Sequence, residues 1–382
     1  MKHVAVTTLL VATLLGYGCA SEDGGGGTTW TWDLPSNFPE PSVPDDNPMN
    51  AAKVELGRRL FYDQRLSENG EGSCASCHAQ EHAFTDALAH AVGSTGQTHP
   101  RSSMALGNTL YEKSYLWANP TVTTLEEQAL LPIIAEDPIV ELGFAGKEGE
   151  LVERLRDIPD YVERFRKAFP SEAEPLVIAN VTRAIAAFER TLISANSPYD
   201  RFVRNEDPAA MSESAQRGMD LFFSEKVECF HCHGSFNFSA SVNHQSQVLE
   251  ESKFENNGLY NVDGAGAYPA ENQGLYALTE DPSDQGKFKP PTLRNIELTA
   301  PYMHDGSIAT LEEVIDHYAA GGRFIMSGEN AGDGRANPNK NPFISGFELT
   351  EQERGDLLAF LRSLTDTDFV TNPEFADPFA AP

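Results

Sequence analysis

Apolar residues recur along most of this chain at intervals of three and four, the spacing of an amphipathic helix. The run from Leu176 to Ile193 places Val177, Val181, Ile185 and Phe188 on one face and reads as a core helix. Three other runs open on a capping box: Thr124-Leu-Glu-Glu127, Thr310-Leu-Glu-Glu313 and Thr350-Glu-Gln-Glu353. In each, the Thr hydroxyl and the Glu carboxylate can satisfy backbone N–H groups that a helix start leaves free. Two further amphipathic stretches echo one another, Ala52-Lys-Val-Glu-Leu-Gly57-Arg-Arg-Leu60-Phe61-Tyr62 and Ser214-Ala-Gln-Arg-Gly218-Met-Asp-Leu221-Phe222-Phe223. No strand-like alternation stands out. Residues 234–289 and 321–345 are rich in Gly, Asn, Pro and Ser and read as long loops. The pattern predicts a mainly α protein with long irregular connections.

The N-terminus follows a different pattern. Lys2 and His3 precede an apolar run, Val4 to Leu15, and together they read as an export signal over residues 1–18. Cys19 follows Leu14-Leu15-Gly16-Tyr17-Gly18, which is similar to a lipoprotein processing box. The expectation is a periplasmic protein anchored through a lipid on Cys19. Ordinary cleavage after Ala20 and a buried core helix are the alternatives. Residues 19–33, with four consecutive glycines, read as a flexible tether. No later stretch runs 18 apolar residues without charge, so a protein with many membrane spans is excluded.

Composition narrows the class. A chain of 382 residues suggests two domains. Its 28 Lys+Arg against 57 Asp+Glu give a net charge of −29, which repels nucleic acid. Five cysteines cannot all pair in disulfides. Four of them fall as Cys74-Ala-Ser-Cys77-His78 and Cys229-Phe-His-Cys232-His233. This is the attachment motif of haem c: two thiols add across the haem vinyl groups, and the next His reaches the iron. A zinc site does not ordinarily carry a His directly after each second Cys, and a thioredoxin-like pair needs a βαβ context that is absent here. Two covalently bound haems c are therefore expected, one in each half. Asn196-Ser197-Pro198 interrupts the helical pattern and divides the chain into haem c domains over 34–197 and 198–382.

Several segments resemble the bacterial dihaem cytochrome c peroxidases, and within them the MauG and MbnH-type enzymes. They are Leu56-Gly-Arg-Arg-Leu-Phe-Tyr-Asp63, the stretch from Cys74 to Asp86, Trp117, Thr124 to Gln128, and Phe288 to Gly306. Narrower matches lie at Gly93 to Gly96, His99-Pro-Arg101, Trp117 to Pro120, and the ending Leu364 to Phe379. The resemblance implies two cytochrome c-like domains. It also implies reaction with hydrogen peroxide at the first haem, and a shared two-electron-oxidised bis-Fe(IV) state.

The same resemblance assigns residue roles. Trp117 would lie between the haems. Gln128, Pro132 and Glu141 would form the peroxide pocket, with Glu141 as general acid/base. Three extra residues, Ala135-Glu-Asp137, leave Glu136 as the rival carboxylate. Where ordinary members carry a distal His, this chain has Ser94, flanked out of register by His90 and His99. The first haem is thus expected to be open to peroxide. Tyr318 stands 14 positions after His304, where ordinary members have a Met ligand to the second iron. A phenolate there would stabilise the higher oxidation states. Met303 and Met326 are the alternative ligands. Arg294 is expected to pair with a haem propionate. Thr299 and Pro301, with Ser102 or Asn108 as side-chain donor, are the implied ligands of a calcium ion.

The function expected is oxidation of a residue, tryptophan in the MbnH-type enzymes, on a periplasmic partner such as an MbnP-like copper-binding protein. The alternative is a peroxidase fed by a small electron-donor cytochrome or cupredoxin. A haem protein that only carries electrons is a third class, for which an open peroxide pocket would serve no purpose.

Overall fold

The computed structural model describes residues 30–245 and 253–380. The expected export signal, Cys19 and most of the tether lie outside the described residues. Helices dominate. The only paired strands among the described residues are Phe324–Ile325 and Gly332–Asp333, joined antiparallel.

Each half is organised by one helix crossing. In the first, helix Ala51–Tyr62 crosses helix Ile178–Glu189, and in the second, helix Glu213–Phe222 crosses helix Glu351–Arg362. Both crossings depend on a glycine. A Cβ at Gly57 would lie 1.8 Å from the Ala184 carbonyl oxygen, and one at Gly218 would lie 1.9 Å from that of Asp356. Without side chains at these points the helix backbones approach closely enough for their apolar faces to interlock. Phe61 then meets Phe188 edge-on at 5.3 Å, and Phe222 meets Phe360 at 5.1 Å. The repeat visible in the sequence is therefore a repeat of packing.

All three predicted capping boxes are formed, at Thr124/Glu127, Thr310/Glu313 and Thr350/Glu353. Two features differ from the sequence reading. The core helix is shorter than Leu176–Ile193: Val177 is its N-cap and 39% exposed, while Val181, Ile185 and Phe188 are buried. The Asn180 amide also donates to the Pro175 carbonyl and the Glu172 carboxylate, fixing the entry turn. Second, the chain end expected in the C-terminal domain returns to the N-terminal one. Phe369 and Phe375 join the first core, where Phe369 packs on Phe84 at 5.5 Å. A third apolar cluster, built on Phe38, Leu110, Tyr111 and Ala195 with Phe236 against it, lies between residues of both halves.

Candidate functional site

The two attachment motifs form matching loops. Cys74–Cys77 and Phe230–His233 are single helical turns. His78 Nδ1 donates to the Phe84 carbonyl at 2.9 Å, and His233 Nδ1 donates to that of Phe238 at 2.9 Å. Holding the proton on Nδ1 leaves the Nε2 lone pair for a metal. Both acceptor residues sit in the left-handed region, Phe84 at φ 63° and Phe238 at φ 50°, which turns the chain back under the imidazole. Phe84 packs against Phe61 and Phe238 against Phe222, so the helix crossing anchors each loop. All four cysteines are free, and burial pushes the thiols up, Cys77 and Cys229 to about 12.

Each loop walls a cavity. The first has a volume of about 1180 Å³ and contains Cys74, Cys77, His78, Gln128, Pro132, Glu141 and Ser94 on its lining. The second, about 200 Å³, is lined by Cys229, Cys232, His233, Met303, His304 and Tyr318 among mostly apolar neighbours. Trp117 lines both. Its indole Nε1 donates to the Ser102 carbonyl at 2.9 Å, and its own carbonyl accepts from the Lys289 N–H at 2.8 Å. Two cysteines and an oriented histidine on an apolar wall, twice over, fit two covalently held haems c, which would supply the redox chemistry.

The first pocket shows why Glu141 and not Glu136 faces inward. The helix Leu125–Ile134 ends in carbonyls that are capped by the next segment: Leu142 N–H donates to Pro132 and Phe144 N–H to Ile133, both at 2.9 Å. Of the intervening residues, Ala135 and Asp137 reach the cavity lining, whereas the exposed Glu136 does not. Ser94 N–H donates to the Glu141 carbonyl at 2.9 Å and closes the segment against the cavity. Burial holds the Glu141 carboxyl above its usual range, as suits a proton donor. The bidentate Arg190–Glu126 pair, at 2.7 and 2.8 Å, ties this helix to the core helix and fixes Gln128 and Pro132. His90 is exposed and outside the cavity lining, whereas His99 lines it with its Nδ1 engaged by the Arg101 backbone.

In the second cavity Tyr318 lies on the helix begun at Thr310 and shares the lining with Cys229, Cys232 and His233. Asn257 stands between the rival ligands. It donates to the Met303 sulfur at 3.2 Å, and its side chain also bonds Tyr318. Met326 is 83% exposed and outside the lining, which removes it from the candidates. His304 stacks on Phe288 at 3.7 Å, and burial lowers its pKa to about 4.

Comparison with known proteins agrees with this geometry. Residues 51–208 match the model of the family described as di-haem cytochrome c peroxidase. The chain is 37% identical to the cytochrome-c peroxidase IdrP1 of Denitromonas iodatirespirans, over 87% of its own length and 86% of the relative's. It is 34% identical to the methylamine utilization protein MauG of Methylorubrum extorquens, over 86% and 82% of the two chains. The chain belongs to the di-haem cytochrome c peroxidase family. A solved MauG-like protein associated with microbial copper homeostasis superposes with a TM-score of 0.89 at 50% identity, covering 92% of this chain and all of that one. The chain is thus an oxidoreductase of a family built around two haems c.

Within this dihaem framework some expected site residues have other duties. Arg294 is not on either cavity wall. It is fully buried and paired with Asp200, through contacts of 2.8 and 3.0 Å, and it also donates to the Phe236 carbonyl at 2.7 Å. A buried guanidinium needs a carboxylate beside it, and Asp200 supplies one. Asn108 is likewise committed: its amide donates to Ser194 and Asn237, and its carbonyl accepts from the Ser194 N–H. Ser102 keeps its hydroxyl near the carbonyls of Met303 and His304, at 3.1 and 3.4 Å, just beyond Thr299 and Pro301 in the chain. Sequence reasoning missed Glu189, a buried carboxyl on the first cavity wall whose pKa burial raises to about 8. The signal was present: it is a charge between Phe188 and Leu192, inside an otherwise apolar helix face.

Proposed function

We propose that this chain is a peroxide-dependent dihaem enzyme of the MauG and MbnH type. It stores two oxidising equivalents across both haems as a bis-Fe(IV) state and spends them on a residue, tryptophan in our reading, of a partner protein. The observation that carries the reading is Tyr318 on the lining of the cavity that His233 also lines, in the place of a neutral thioether. An anionic oxygen donor favours the oxidised iron that such storage requires. Ser94 in place of a distal His supports a first site that accepts peroxide without prior reduction. Gln128, Pro132 and Glu141 line that site, with the Glu141 carboxyl moving the proton between peroxide oxygens. Trp117, common to both walls, connects them.

The partner is a periplasmic, MbnP-like copper-binding protein in this reading, which the likeness to a MauG-like protein of copper homeostasis supports. Attachment to the membrane through Cys19 would hold the enzyme where such proteins reside. A calcium ion between the haems, bound by Thr299 and Pro301 with Ser102, belongs to the same reading. The second reading, a peroxidase drawing electrons from a cytochrome or cupredoxin, is favoured by the relatives that carry the name cytochrome-c peroxidase.

Two measurements separate them. Mixed with peroxide and the copper-binding partner, the holoenzyme should add oxygen to a partner tryptophan, read as a mass gain in a peptide digest. Rapid turnover of a reduced cytochrome, with the partner unchanged, would establish the second reading instead.

A further inference from the structure

The wall between the two cavities contains a buried ion pair that none of the roles above uses. Glu112 lines the first cavity and Lys289 lines the second. Their side chains are 5% and 0% exposed, and Lys289 Nζ contacts the Glu112 carboxylate directly. The same ammonium donates to the Ser114 carbonyl at 2.7 Å, while the Lys289 backbone N–H donates to Trp117. The pair therefore spans the wall beside the tryptophan, with its negative end toward one site and its positive end toward the other. Burial pulls the Lys289 amine down to about 7, so the ammonium depends on the carboxylate against it.

A pair this deep is costly to maintain. Desolvating both charges offsets much of their attraction, and well-packed apolar residues would do as well for stability. Its placement suits a second purpose. In a low-dielectric interior a unit charge a few ångströms from a redox centre is weakly screened and shifts its potential. We propose that Glu112 and Lys289 act as a charge-setting pair that imposes opposite electrostatic signs on the two haem sites, lowering the potential of the first and raising that of the second. The effect counters the downward pull of a phenolate at the second site and brings the two sites closer in energy, so an oxidising equivalent can be shared through Trp117. In this respect the inference rests on the reading of Tyr318 given above, but the sign of each charge does not.

Reductive titration of the holoprotein, with each haem followed by its own spectrum, tests the pair. Lys289→Met should lower the second haem's potential more than the first's. Glu112→Gln should raise the first haem's potential more than the second's. If the surviving partner of either variant becomes neutral, both shifts occur together, so the difference, second minus first, falls in each case. Lys289→Arg should restore it. Equal shifts at both haems, or no shift, would overturn the proposal and leave the pair a structural strut. Should Lys289→Met not fold, Glu112→Gln decides alone, because its ammonium keeps the Ser114 carbonyl. The spin states of the resting protein report separately on the first haem's open face and on Tyr318, so failure of that reading is distinguishable.

Discussion

The two halves share a construction and differ in what faces the bound group. On the proximal side they are nearly superposable in logic: a glycine crossing, a phenylalanine pair, a left-handed Phe whose carbonyl orients the histidine. On the rest of the lining the first half presents Gln128, Pro132, Glu141 and Ser94 around a roomy cavity, and the second presents Tyr318, Met303 and aromatic rings around a tight one. The lesson is that one packing solution was kept for attachment while the residues lining the rest of each cavity diverged. A site that must admit peroxide needs space and a proton carrier. A site that must only hold charge needs a filled coordination position and a dry wall.

The comparison is broken most sharply by removing one proximal histidine at a time. His78→Gly should abolish peroxide consumption, whereas His233→Gly should leave the first site reactive but unable to pass on the second equivalent. Stopped-flow spectra after peroxide addition read both outcomes, and equal loss in the two variants would deny the division of labour. Tyr318→Met comes next. It should raise the second haem's potential and remove the spectral signature of the shared oxidised state, with peroxide still reacting at the first haem. An unchanged potential would identify Tyr318 as a packing residue and make Met303 the ligand to examine.

The shared part of the construction makes its own prediction. Gly57→Ala and Gly218→Ala should each destabilise the protein by about 3 kcal/mol, because the added methyl meets a helix carbonyl that cannot move aside. Thermal melts of the two variants should agree. A tolerated change at one glycine would show that the halves do not depend equally on their crossings.

The smallest effect concerns pH. Burial raises the Glu189 carboxyl from 4.5 to about 8, so the folded chain keeps a proton there that the unfolded chain has released. Stability contributed by this group is present below about pH 4.5 and falls as pH rises toward about 8, by at most about 1.4 kcal/mol per unit. Glu189→Gln should flatten the stability curve across that window. The second cavity wall should contribute the opposite sign, because the buried His304, lowered from 6.5 to about 4, adds stability as pH rises between those values.

Attachment chemistry and its duplication were legible in the sequence because they are local: Cys-x-x-Cys-His needs only five consecutive residues. The capping boxes were legible for the same reason, as a hydroxyl and a carboxylate three positions apart find each other within one turn. The bonds that engage Arg294 and Asn108 were not legible because their partners, Asp200 and Ser194, lie 94 and 86 positions away. A buried charge or amide has to be satisfied by something, but sequence alone does not say by what.

What the chain's sequence determined by itself is thus the helical periodicity, the helix starts, two haem attachment loops and the spacing that brings Tyr318 forward as a candidate. What only the tertiary structure decided is which side chains face which cavity. Glu141 lines the first cavity and Glu136 does not, and Trp117 becomes common to two walls. The return of Phe369 and Phe375 to the first core, and the meeting of Lys289 with Glu112 across 177 positions, belong to the same class. These contacts depend on burial, which is a property of the packed molecule: an apolar ring or an unpaired charge finds its place only after distant segments have closed around it.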